Sequence, residues 1–272
     1  MGRSITGYSP RAGALVAHAT GLMYLGRLEE ARREGDEVIR LLEEAGQFEP
    51  LIWMLQIRVT TAHASGVLGM AIDQARRCLD IGKKIDVEYY PFYGNFALGA
   101  AFLIEGRSTE ARDALIVGRE AIGTLRTMYG FLPWILAFLA DAHLALDEHS
   151  EALAAAREGT ERGRNGGCIY FEASAQIALA KVLIATGGAE ARAEIEAALD
   201  RAEKLVASIE ARSLSPRILE LRGRLAAALG DTTASEQTLR EALDLYREIG
   251  ATGHAERLGL EIQPTSSQGE HP

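Results

Sequence analysis

Apolar positions along this chain recur three and four residues apart, in segments of helical length broken by glycine. The last complete example runs from Ser215 to Leu258. Its first segment carries Ile218, Leu219, Leu221, Leu225 and Leu229 and stops at Gly230-Asp231. The second runs through Leu239, Ala242, Leu243 and Tyr246 and stops at Gly250. Each segment has one apolar and one charged face, so the pattern predicts two amphipathic helices joined by a tight turn.

The same pattern fits the rest of the chain. Gly26, Gly66, Gly106, Asp147, Gly187 and Gly230 occupy the turn inside successive helix pairs, spaced 40, 40, 41, 40 and 43 residues apart. Seven residues before each lies a small or slim residue: Ala19, Val59, Gly99, Ala140, Ala180 and Gly223. Five residues after four of the first five turns lies an alanine: Ala31, Ala71, Ala111 and Ala152. Closely packed helices need little bulk at their contact, so the two columns are expected to face each other across each hairpin. The runs GRLEEAR from Gly26 and GRSTEAR from Gly106 are near duplicates. Spacing and columns predict a tetratricopeptide-like repeat lengthened beyond its usual 34 residues. The expected fold is all-α: a right-handed α-solenoid of six helical hairpins with a short C-terminal capping helix over His254 to Leu258.

Unit five breaks the pattern, and its second helix is expected to run from about Ala189 to about Ala211, longer than the others. Pro91, Pro133 and Pro216 suit first helical turns. Residues 1–10 read as a poorly ordered segment, 11–260 as the repeat domain and 261–272 as a disordered polar tail. Unit one begins without an evident cap, which leaves an apolar end open to self-association.

Composition narrows the function. The chain has 272 residues, 47% hydrophobic, 25% charged and only 6% aromatic, with a formal charge of −9. Its basic residues form no dense run, so direct nucleic-acid contact is not expected. Two cysteines, Cys78 and Cys168, lie in separate units and indicate reduced thiols and a cytoplasmic setting. The N-terminus lacks a signal-peptide plan, and no apolar run approaches the roughly 18–20 residues that span a bilayer, so no membrane partner is expected.

The run RGRLAAALGD with LREALDLYREIGATGHAERL resembles the C-terminal repeat tail of large bacterial proteins, in which a class III adenylate or guanylate cyclase domain is joined to an AAA/STAND-type ATPase. GYSP (Gly7 to Pro10), YLGRLEEAR (Tyr24 to Arg32) and VLIATGGAEARAEIEAAL (Val182 to Leu199) are similar to that tail too, so the resemblance covers residues 7 to 260. Related tails occur in STAND-class transcriptional activators. The cyclase and ATPase modules themselves are absent: Gly82-Lys83 is followed by Lys84, and Arg77 stands where a phosphate loop needs its first glycine. The resemblance implies a regulatory region acting on an attached output domain, without catalytic residues or a cofactor of its own.

Candidate binding residues come from the first helices, which line the concave face of such a superhelix. Trp53, Tyr93 and Trp134 each lie thirteen residues before their turn. Phe96 and Asp141 lie further along the same face, so together these residues could form an aromatic shelf with a polar partner. The alternative is that the rings pack between neighbouring units. Arg217, Glu220 and Arg224 occupy corresponding positions in unit six, either to hold a carboxylate or phosphate or as a solvated face with an i, i+4 pair. The six histidines, His18, His63, His143, His149, His254 and His271, show no metal-ligand spacing and read as structural. GRNGGC, from Gly163 to Cys168, reads as a helix stop between units rather than an anion loop.

The expected function is therefore a non-enzymatic sensor or interaction scaffold. It would bind a protein partner, a peptide or a small effector in its concave groove. A free-standing peptide-docking adaptor and a self-associating module are the alternatives.

Overall fold

A computed structural model of the chain describes residues 9–85, 90–125 and 128–262. The chain forms a right-handed, tetratricopeptide-like solenoid. Its hairpins pair α1 (Pro10–Tyr24) with α2 (Leu28–Glu44), α3 (Phe48–Ser65) with α4 (Ala71–Lys84), and α5 (Tyr90–Glu105) with α6 (Ser108–Leu125). Then follow α7 (Leu132–Ala145) with α8 (His149–Gly166), α9 (Ile169–Gly187) with α10 (Arg192–Ser208), and α11 (Ser215–Ala228) with α12 (Thr232–Glu248). The cap is α13 (Thr252–Ile262).

Sequence chemistry accounts for the hairpins. Gly26, Gly66, Gly106 and Gly230 have φ between 71° and 83°, the left-handed conformation that ends a helix. Asp147 adopts it at φ 57°, which a short polar side chain tolerates. In unit five the reversal falls one residue later than the spacing predicts, at Gly188 (φ 51°), and Gly187 stays in the helix. The small columns are buried: Ala19, Val59, Ala140 and Ala180 fully, and Ala111 and Ala152 likewise. Where the first column is glycine, it faces a leucine nine residues after the turn rather than the alanine five residues after it. A Cβ on Gly99 would sit 2.4 Å from Leu115, and one on Gly223 2.8 Å from Leu239.

One expectation fails. The second helix of unit five is not extended; α10 has 17 residues, as α2 and α12 do. The surplus length goes into 3-10 turns at Gly188–Ala191 and Arg212–Leu214. Glu210, at φ 53°, turns the chain between α10 and the second of these. The cap is longer than the five residues expected. Almost all of the N-terminal segment and the polar tail, including Gly7, Tyr8 and His271, lies outside the described residues.

The solenoid also closes on itself. The turn after α3 meets the start of α13: His254 Nε2 donates to the His63 carbonyl at 3.0 Å, across 191 residues of sequence. This approach needs glycine on both sides. A Cβ on Gly253 would lie 2.1 Å from the Gly66 carbonyl oxygen, and one on Gly66 2.7 Å from the His254 nitrogen. Beside it, the Leu28 amide donates to the Ile249 carbonyl at 3.4 Å, and Gly26 lies under Ile249 and Arg212. Tyr24 of unit one stacks on Tyr170 of unit five with ring centroids 3.9 Å apart. The first unit thus rests on the last two, covering much of the end expected to be open. The exposed residues of α1 are Pro10, Arg11, Ala14, Ala17 and His18, with no large apolar side chain among them.

Candidate functional site

The first helix of each hairpin faces the interior of the coil, and α3, α7 and α9 are apolar nearly all round because they are covered on both sides. Every residue from Leu132 to Ala140 is buried. The window Ile169–Ser208 even contains 18 residues apolar enough to span a bilayer, contrary to the sequence expectation, but 72% of that window is buried inside the array.

The interior has two unlike parts. Across units two to five it is filled by rings. Phe96 is fully buried and packs edge-on against Trp134 (4.9 Å between centroids) and Phe138 (5.1 Å). Trp134, 3% exposed, stacks on Phe171 at 4.5 Å and meets Tyr170 edge-on at 6.0 Å. Tyr93 is buried beside Phe92 and Phe131, and Trp53 is half-buried against the core. Tyr93, Phe96 and Trp134, expected as part of a shelf, thus sit in a packed ring cluster in this structure, and Trp53 packs against the core. Burying the rings between units withdraws more apolar area from water than leaving them along an open groove.

Beyond the rings, between α7, α9, α11 and the cap, a cavity of about 700 Å³ stays open. Its lining mixes aliphatic side chains, Leu144, Ile177, Ile184, Leu221 and Leu239, with the charged Asp141, Lys181, Arg217, Glu220, Arg224 and Arg257. The two kinds alternate along the helices: Leu144 follows Asp141 by one turn, Lys181 lies between Ile177 and Ile184, and Leu221 lies between Arg217 and Arg224. Asp141, Lys181 and Arg224 each lie six residues before their turns, so three successive first helices present them at one height. Arg217 takes in unit six the place of Trp134 in unit four, thirteen residues before the turn.

Two ionic groups result. Glu220 accepts from Arg224 (2.8 Å), Arg257 (2.7 Å) and the Tyr246 hydroxyl (2.9 Å). Glu261 at the rim accepts from the same two arginines, at 2.7 and 2.8 Å. Burial pushes the Glu220 carboxyl up, but its arginines outweigh burial and hold it at about 2. In the second group, Asp141 accepts from Lys181 Nζ at 2.7 Å, with an Arg217 nitrogen 3.6 Å away. Burial again raises the Asp141 carboxyl, and Lys181 and Arg217 bring it below its ordinary value. The nearby histidines are held neutral: burial first, then the charge of Arg217, lowers His63 to about 3, and burial takes His254 to about 4.

The structure brings Asp141, Arg217 and Arg224 into one cavity and sets Tyr93, Phe96 and Trp134 apart in the ring cluster, with Trp53 half-buried against the core. Glu220 is buried in the cavity wall, so its pairing with Arg224 is not a solvated face. Sequence reasoning missed Lys181, although its place in the same column as Asp141 could have revealed it. It also missed Arg257 and His254, which arrive from the cap by closure. The other candidates are accounted for locally. His18 pairs with Glu34 on the surface, His143 with Glu148, and Gly167 (φ 87°) ends α8. Among the described residues no three His, Cys, Asp or Glu side chains converge as metal ligands.

No protein-family model matches the chain, nor does any curated protein. Solved structures share the fold. A Rap protein complexed with competence and sporulation factor aligns with TM-score 0.66 at 13% identity, over 91% of this chain and 72% of its own. The apo form of RapI aligns with TM-score 0.63 at 15% identity, over 88% of this chain. The match spans 64% of the length of RapI. BtubC from P. vanneervenii aligns with TM-score 0.56 at 12% identity, over 90% and 96% of the two chains. These likenesses show that the chain shares the fold of tetratricopeptide-like helical repeats.

Proposed function

We propose that this chain is a non-enzymatic interaction module that holds a protein or peptide partner, or a small effector, in the charged cavity inside its solenoid. The observation that carries the reading is the open cavity, lined by converging charges interspersed with aliphatic side chains. Binding pockets combine these features, whereas a purely structural core would fill the space. The Rap structure solved with competence and sporulation factor supports it as a case of this fold carrying a ligand. From its likeness to the repeat tails described above, the module belongs to the regulatory region of a multidomain cytoplasmic signalling ATPase or nucleotide cyclase. Occupancy then biases the state of the attached domains through differential affinity.

A photocrosslinking residue at position 185, on the cavity wall, tests this against one at exposed position 240 on α12. In native host cells, position 185 should yield a discrete adduct that position 240 does not. No adduct from position 185, or equal adducts from both, would overturn the proposal.

A further inference from the structure

The charges lining the cavity do not cancel evenly. Arg224 and Arg257 face two carboxylates, Glu220 and Glu261, and each arginine bonds to both, so that group is neutral and its donors are engaged. Lys181 and Arg217 face only Asp141. One positive charge is left over, in a chain whose formal charge is −9. The surplus falls on Arg217, whose only ionic partner is the Asp141 oxygen at 3.6 Å and which makes no hydrogen bond among the described residues. Its side chain is 24% exposed and opens into the cavity. A planar guanidinium with free donors in a partly desolvated pocket is suited to a planar, singly charged acceptor.

The rest of the cavity restricts what can carry that acceptor. His63 and His254 flank Arg217 and are uncharged, so they add no second cation. A phosphate monoester brings about −1.5 to −2 charges and would be under-compensated by a single surplus cation. Leu144, Ile177, Ile184, Leu221 and Leu239, interspersed among the charges, offer apolar surface, and about 700 Å³ lies within the range of pockets that enclose a small ligand.

Resting on the cavity as the binding site, we infer that the ligand is a carboxylate on an aliphatic body, its carboxylate on Arg217 and Lys181 and its body against the Leu and Ile side chains beside them. Two sources share this chemistry: an aliphatic organic acid, and a peptide ending in an aliphatic residue with a free α-carboxylate.

Calorimetric titration of the full chain separates them. The probes are decanoate against decanol, and acetyl-Leu-Leu-Leu as the free acid against its amide. At least one acid should bind about tenfold or more tightly than its neutral counterpart. Binding of decanoate alone assigns the site to organic acids, and binding of the peptide acid alone assigns it to chain ends. Arg217→Gln should weaken the bound acid about tenfold or more. Lys181→Gln, altering a side chain 43% exposed, should weaken it in a protein that stays folded. The inference fails if neither acid binds, if neutral probes bind equally well, or if folded Arg217→Gln and Lys181→Gln variants both bind as wild type does. Crosslinking from position 185 without acid binding would remove this inference and leave the interaction reading standing.

Discussion

Two stretches of the same inner surface, built from equivalent helix positions, meet opposite fates. In units two to four, positions thirteen or ten residues before the turns carry Trp53, Tyr93, Phe96 and Trp134, and rings fill much of the interior there. In unit six the same positions carry Arg217 and Glu220, and the interior stays open. The backbone differs little between hairpins, so side-chain chemistry decides whether the coil is solid or hollow. Rings gain by mutual burial, while guanidinium and carboxylate groups give up hydration and must be paired or left near water. The repeat therefore supplies a uniform scaffold on which a few substitutions place a cavity.

The contrast breaks most visibly at Trp134. Replacing it with alanine would leave a void against Phe96, Phe171 and Tyr170 and should cost about 3–5 kcal/mol of stability in urea unfolding. A cost below about 1 kcal/mol would show that the rings are not structural packing.

Acid should strain the other half. His63 and His254 have folded values of about 3 and about 4, below an ordinary histidine near 6.5. The unfolded chain therefore binds more protons between those limits, so stability falls as pH drops below 6.5 and levels off below about 3. From pH 6.5 to 5 the loss should be on the order of 2 kcal/mol per histidine. His254→Gln should show a shallower dependence than wild type in melting curves across that range; identical slopes would exclude His254 as a contributor.

The smallest effect expected is at the closure. Gly253→Ala would normally favour a helix, but here its Cβ meets the Gly66 carbonyl at 2.1 Å. A destabilisation of about 1–3 kcal/mol, with faster amide exchange in α13, is expected. A stabilised variant would show that the ends do not touch in solution.

The hairpins were legible in the sequence because each depends on residues close in the chain. A glycine or aspartate sets the turn, and small residues a fixed distance either side let the helices approach. The site was legible in part. Asp141, Arg217 and Arg224 stood out by repeat position, while the repeat position of Trp134 and Phe96 did not reveal that neighbouring rings would cover them. Position within a repeat specifies direction, and what lies in that direction depends on the next unit.

By itself, then, the sequence determined the repeat, its period, its turns and its close helix contacts, since these are local or between neighbours. Only the tertiary structure decided that the coil closes, bringing Gly66 against Gly253 and His63 against His254 and adding Arg257 to the cavity. Closure depends on the summed rotation of all the hairpins. A small change of angle in each unit moves the ends by many ångströms, and no single stretch of residues encodes that sum.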